Sequence, residues 1–221
     1  MYQLVADTDE FLVVDKAAGV PVHGPSAAPT LIERLREDFN NPALNLVHRL
    51  DTGTSGLVVI AKNPTANRLL AQLFAERVVC KRYLAISPSK PSKKQGWIIG
   101  DMVKVRDGNW ILKHNRDNPA KTYFISAAVK PHCRLFVLAP HTGKTHQLRV
   151  ALRSQQAAIL GDERYSKCAA DRMYLHSWRL SFQFKDEDFR FSVWPNSGEL
   201  FQDEALMQLA LELEGRLPDG V

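Results

Sequence analysis

The 221 residues are 45% hydrophobic, enough to bury a core in a single domain over 1–221 or in two small lobes sharing one sheet, so the bulk of the chain is not a disordered segment. Three cysteines, Cys80, Cys133 and Cys168, lack CxxC spacing and cannot all pair, which argues against a disulfide framework or a zinc site and for a reduced, cytoplasmic setting. No apolar run reaches membrane-span length and no basic-then-apolar leader opens the chain, while a formal net charge of +5 allows either a polyanion-binding face or a scattered basic surface.

Leu4 to Ala6 and Phe11 to Val14 read as two short strands of a hairpin, with Asp7, Thr8 and Asp9 as the turn. Gly, Pro and Ser mark residues 19–29 as a loop. Thr30 and Glu33 then have capping-box spacing at the head of a helix that turns Leu31, Ile32 and Leu35 inward and ends near Phe39. Gly56 to Lys62 is a β-branched apolar run of strand length, bounded by Gly and by Asn63–Pro64. Asn63 can cap and Pro64 can occupy the first position of a helix carrying Leu69, Leu70, Leu73 and Phe74 to Glu76.

Lys81 to Ile86 reads as a further strand, and PSKPSKKQG after it as an exposed basic linker or hairpin tip. Short apolar segments then recur at Trp97 to Ile99, Trp110 to Leu112, Thr122 to Val129 and Leu135 to Leu138, separated by Gly, Asn and Pro, as in antiparallel strands. Gln147 to Arg153 reads as a short helix. Leu180 to Phe184 and Phe189 to Trp194 flank a turn at Lys185 to Asp188, and Glu199 to Leu217 reads as one closing helix. The sum is an α+β fold with a mixed, mostly antiparallel central sheet, flanking helices and a catalytic cleft.

LVHRLDTGTSGLVVIAK places polar, reactive groups directly before a buried strand, where a rigid edge can aim them. Gly53 and Gly56 permit positive φ and close backbone approach. Thr52, Thr54 and Ser55 can satisfy loop backbone groups. By composition alone, an ordinary Ser/Thr/Gly turn explains the segment equally well.

HRLDTGTSGL resembles the HRLDxxTSGL signature of the RluA family of RNA pseudouridine synthases. FLVVDKAAGVPVH is similar to the family's opening motif and KRYLA to its K-x-Y segment. PHTGKTHQLRV, ILGDERY and LHSWRLSF resemble its later motifs, in the family's order. This chain has Ala17 where the family often has Pro, Lys144 where it has Arg and Ala151 where it has His. Because a strand opens the chain, the S4 RNA-binding domain that often precedes the catalytic domain in this family is expected to be absent, and the catalytic domain itself is expected to hold RNA.

The resemblance implies an isomerase without cofactor or metal. It would break the N1–C1′ bond of a uridine, turn the base and join C5 to the same sugar carbon. It makes Asp51 the catalytic carboxylate, able to attack the sugar or the base, to stabilise an oxocarbenium-like species or to abstract a proton. Arg149 matches the position that pairs with this carboxylate, and Tyr83 the active-site tyrosine that stacks on the uracil or assists proton loss from C5. A stacked uridine cannot reach such a site, so base flipping is implied. Arg49 could fill the vacated space, contact phosphate or form a structural salt bridge. His48 is expected to organise the loop and Leu148 to floor the base. Lys16, His23, Lys144 and His146 could bind RNA or support the loop. Ribosomal or transfer RNA is the expected partner, with no membrane or obligate protein partner and with a monomer preferred.

Four other chemistries fit less well. Asp51-Thr52-Gly53 spells the DTG of aspartic proteases, but two carboxylates must share a proton there, and one DTG would demand a homodimer. Gly143-Lys144-Thr145 lacks the earlier P-loop glycine, since Leu138 stands in its place, and GTSG lacks the spacing of a hydrolase elbow. His141 and His146 have no HExxH context. A non-catalytic RNA-binding module remains the alternative within nucleic-acid biology.

Overall fold

Apolar runs and capped amphipathic segments give eleven strands and four helices in the computed structural model, which describes residues 1–221. In chain order these are β1 (Tyr2–Asp7), β2 (Phe11–Lys16), α1 (Leu31–Asp38), β3 (Asn45–Leu46), β4 (Ser55–Ala61), α2 (Pro64–Ala75), β5 (Cys80–Ser87), β6 (Gln95–Lys104) and β7 (Trp110–Lys113). There follow β8 (Pro119–Lys130), β9 (Cys133–Pro140), α3 (Gln147–Ser154), β10 (Leu175–Phe184), β11 (Glu187–Ser192) and α4 (Glu204–Glu214). The architecture is α+β and mostly antiparallel. The chain divides into two compact units, one of Met1–Cys80 with Ser177–Pro195, the other of Lys81–His176 with Asn196–Val221.

In the first unit the strand order is β1-β2-β4-β10, with β11 on β10 and β3 on β4. The antiparallel register of β2 against β4 runs from Phe11↔Ala61 to Lys16↔Gly56, so β2 ends beside the turn that precedes β4. Every residue of β2 and of β4 is buried. Phe11 packs edge-on against Phe182, Phe184 and Phe189 at ring separations of 5.6, 5.8 and 5.0 Å. Together with Val13, Leu57, Val59 and Leu70 these rings form the core of the unit. Such aromatic pairs add directional preference to area burial.

Both helices of this unit start on the chemistry read from sequence. The Glu33 carboxylate accepts from the Thr30 N–H and hydroxyl, each at 2.8 Å, closing the capping box. Asn63 accepts from the Ala66 N–H at 2.8 Å, and Pro64 opens α2. The β10–β11 hairpin turns through Lys185 and Asp186, both with positive φ, as a two-residue turn matching strand twist requires. Glu187 and Asp188, expected in that turn, belong to β11. β3 was not foreseen: two residues are too few to show periodicity.

In the second unit the order is β5-β9-β8-β6-β7, with each neighbouring pair antiparallel. The closing helix departs from expectation. Glu199–Gln202 forms a short 3-10 turn, Asp203 is extended, and α4 begins only at Glu204, with the Asp203 carboxylate accepting from the Ala205 N–H at 3.1 Å. The break follows from competing partners. The Leu200 N–H donates to the Tyr174 hydroxyl at 3.1 Å and the Glu199 N–H to Asp171 at 3.0 Å, which pins the 3-10 turn and leaves Asp203 to start a new helix. No helix in the chain is long and apolar enough to cross a membrane.

Candidate active site

The turn that carries Asp51 lies between β3 and β4 and is fixed from several directions. The Thr54 N–H closes it on the Asp51 carbonyl at 3.0 Å, and the Gly19 N–H reaches the Thr52 carbonyl at 2.9 Å. Lys16 is fully buried, and its ammonium donates to the carbonyls of Ala17, Val20 and Thr52 at 2.9, 2.8 and 3.1 Å. One buried cation thus ties the opening loop to the turn, a setting that fits support of the loop. A buried ammonium is costly unless it is hydrogen-bonded, and these three carbonyls supply its partners.

Gly56 is the position where backbone freedom is required. Its φ is +108°, and a β-carbon there would lie 2.3 Å from the Ser177 carbonyl oxygen. β4 therefore leaves the turn in close contact with the backbone of the neighbouring segment. His48 of the same loop is hydrogen-bonded to β4 and stacked on α2. Its Nε2 accepts from the Val59 N–H at 3.0 Å, so that nitrogen carries no proton, and its ring stacks on Phe74 at 4.4 Å. Asp51 is half-buried, Leu50 buried, and Arg49 and His23 are exposed.

The other expected residues belong to the second unit. Tyr83 is a buried residue of β5, opposite Leu138 of β9. Leu148 and Arg149 are buried in the first turn of α3. His146 stands just before that helix in the left-handed region, with φ +58°. Its Nδ1 lies 2.9 Å from the Tyr165 hydroxyl. Lys144 is half-buried and its ammonium donates to the Asn118 carbonyl.

Three residues here went unnoticed in sequence. Gln147 is buried, and its Oε1 accepts from the Thr142 hydroxyl at 2.7 Å and the Lys144 N–H at 3.0 Å. Its Nε2 donates to Thr122 Oγ1 and the Lys121 carbonyl. All its amide capacity is spent pinning the loop before α3. Asp162, buried, holds Arg149 in a two-pronged ion pair: Nε to Oδ2 at 2.8 Å and Nη2 to Oδ1 at 2.7 Å. The Arg149 guanidinium also lies over the Tyr165 ring, 5.0 Å from its centroid. The signal available for Asp162 and Tyr165 was their place in ILGDERY, and for Gln147 its place in HQLR.

His141, nearby in sequence, meets Trp97 edge-on at 4.7 Å. Burial, with Arg82, Lys81 and Lys121 adding to it, holds its pKa below the usual imidazole value, so it is neutral near pH 7. Cys80 and Cys168 are exposed, Cys133 is buried, and all three are free thiols.

Residues 10–154 match the model of the family described as RNA pseudouridylate synthase. A dual-specificity RNA pseudouridine synthase RluA of Vibrio vulnificus is 32% identical over 81% of this chain and 77% of its own. The chain belongs to the RluA-type RNA pseudouridine synthases. An RNA pseudouridine synthase of Haemophilus influenzae is similar at 42% identity over 90% of each chain. Among solved structures, human RNA pseudouridylate synthase domain containing 1 superposes with a TM-score of 0.78 at 25% identity, covering 100% of this chain and 97% of that one. Membership makes this synthase an isomerase whose substrate class is RNA, and it replaces the protease reading of the DTG triplet and the reading as a non-catalytic binding module.

Proposed function

We propose that this synthase isomerises specific uridines of ribosomal or transfer RNA, with Asp51 as the catalytic carboxylate and the target nucleotide flipped out of its stack. The observation that carries the assignment is the turn itself. The family's HRLD aspartate sits half-buried on a loop tied down by Lys16, Gly19 and His48 and leading into a fully buried strand, which is the rigid support a reacting carboxylate needs.

Tyr83 and Arg149 are proposed as the other catalytic groups. The resemblance of KRYLA and HQLRV to family motifs supports both, and the setting of each agrees with such a role. Tyr83 is held within a sheet, and Arg149 is a clamped guanidinium able to favour an ionised carboxylate. A uridine must lose its N1–C1′ bond, rotate and rejoin through C5 with loss of the C5 proton. That sequence asks for one carboxylate, one aromatic or hydroxyl group at the base, and one fixed positive charge. Leu148 is proposed to lie under the base, and Arg49, exposed beside Asp51, to fill the vacated stack or hold a phosphate.

His48 is proposed to act through the loop alone, since its Nε2 is already engaged. His146 and Lys144 support the start of α3, and His23, exposed in the opening loop, can touch RNA. Pseudouridine mapping of total RNA from cells with and without the protein tests the proposal: one or a few sites should vanish without it and return on complementation. An unchanged map in both ribosomal and transfer RNA would refute it.

A further inference from the structure

Asp162 is buried completely on its side chain, yet it is the partner of a single charged group, and the way its oxygens are engaged is directional. Oδ2 accepts from Arg149 Nε at 2.8 Å, and Oδ1 from Arg149 Nη2 at 2.7 Å. Oδ1 also accepts from the backbone N–H groups of Arg164 and Tyr165 at 3.1 and 3.2 Å, which fixes the carboxylate before it meets the guanidinium. Just ahead of it, Gly161 has φ +73°, and a β-carbon there would lie 1.9 Å from the Arg172 carbonyl oxygen, so the turn presenting Asp162 is seated against backbone.

The face of the guanidinium is fixed as well. The Tyr165 ring lies beneath Arg149 at 5.0 Å and beneath Arg153 at 5.6 Å. The Tyr165 hydroxyl in turn accepts from the Trp110 N–H at 3.0 Å and meets His146 Nδ1 at 2.9 Å. Edge and face together leave the guanidinium one orientation. The fork engages Nε and Nη2, so the Nη1 corner of the plane points away from Asp162.

We infer that Asp162 is a positioning residue for catalysis: its fork on Nε and Nη2, with the anchored Tyr165 ring, fixes the plane and direction of the Arg149 guanidinium. This rests on the proposed role of Arg149. A buried ion pair is weak evidence for stability, because desolvation offsets the attraction, whereas a fixed direction for a catalytic charge is a reason to keep one. Asp162 acts through Arg149.

The test uses the full chain on ribosomal and transfer RNA prepared from cells lacking the protein, with initial rates of pseudouridine formation followed at multiple turnover over a range of RNA concentrations. Asp162→Asn should lower kcat by roughly 10–100-fold while KM and RNA affinity stay within about twofold. In an Arg149→Ala background the same change should cost almost nothing further. Full activity of Asp162→Asn, or a loss that multiplies with that of Arg149→Ala, would overturn the inference. Should Asp162→Asn fail to fold, Arg149→Lys decides: it keeps the charge but cannot make the fork, and it should lose a comparable factor in kcat at unchanged KM. Wild-type turnover by Arg149→Lys, with Arg149→Ala inactive, refutes the positioning role alone. Wild-type turnover by Arg149→Ala refutes the underlying assignment of Arg149.

Discussion

Replacing Gly56 by Ala should destabilise the first unit and slow catalysis together, because this glycine is the second residue of the buried strand β4, just past the Asp51 turn. An alanine β-carbon would lie 2.3, 2.6 and 2.8 Å from the carbonyl oxygen, nitrogen and carbonyl carbon of Ser177, all backbone atoms that no rotamer change can move. Reaching ordinary contact requires a shift of roughly 1 Å, and overpacking of that kind costs about 1–3 kcal/mol. Holding a non-glycine residue at φ +108° adds about 1–2 kcal/mol, for a total of about 2–5 kcal/mol. Each kcal/mol moves the melting temperature of a chain this size by about 2–4 °C. Thermal unfolding of Gly56→Ala beside Gly143→Ala is the assay, since a β-carbon at Gly143 meets nothing within 4 Å and should change stability by less than about 0.5 kcal/mol. Equal melting temperatures for the two variants and the parent would refute the close-approach argument.

Two further outcomes follow from buried polar groups. Lys16→Met should lower stability by about 2–4 kcal/mol, since the carbonyls of Ala17, Val20 and Thr52 lose a charged donor. It should reduce turnover through the loop while leaving RNA affinity near that of the parent by filter binding, and a large affinity loss at unchanged melting temperature would show direct RNA contact instead. Tyr174 is pushed up to about 12, first by burial and then by its hydrogen bond to Asp171, so the folded state holds this proton more tightly than the unfolded chain. Its contribution is complete below the ordinary tyrosine value of 10.0 and is lost as pH rises from there to about 12. Tyr174→Phe should therefore melt earlier near neutral pH, by about 1–2 kcal/mol, and show a shallower alkaline decline. A decline as steep as the parent's would place the effect elsewhere.

The path from Asp51 into β4 and on through Asn63 and Pro64 into α2 was legible in sequence because each step has a local cause: a polar turn, a β-branched run, a cap, a proline at the first helical turn. The capping box of α1 was legible for the same reason. What tertiary contacts decide was not. β2 runs on through Asp15 and Lys16 although both are charged, because Lys16 finds carbonyl partners within the loops it binds. The interruption at Asp203 depends on Tyr174 and Asp171, far back in the chain, capturing the N–H groups of residues 199 and 200. Within the candidate site, Asp51, Tyr83 and Arg149 came from motif resemblance. The clamp of Asp162 and Tyr165 on Arg149 came only from folding, since a carboxylate 13 residues from its arginine has no periodic signature.

The most direct test of the account is the turnover of Asp51→Asn on the RNA whose modification depends on the protein. An isosteric amide should fold and bind that RNA as the parent does and form no pseudouridine over many parental half-times. Pseudouridine formation at the parental rate by this variant would contradict the central assignment.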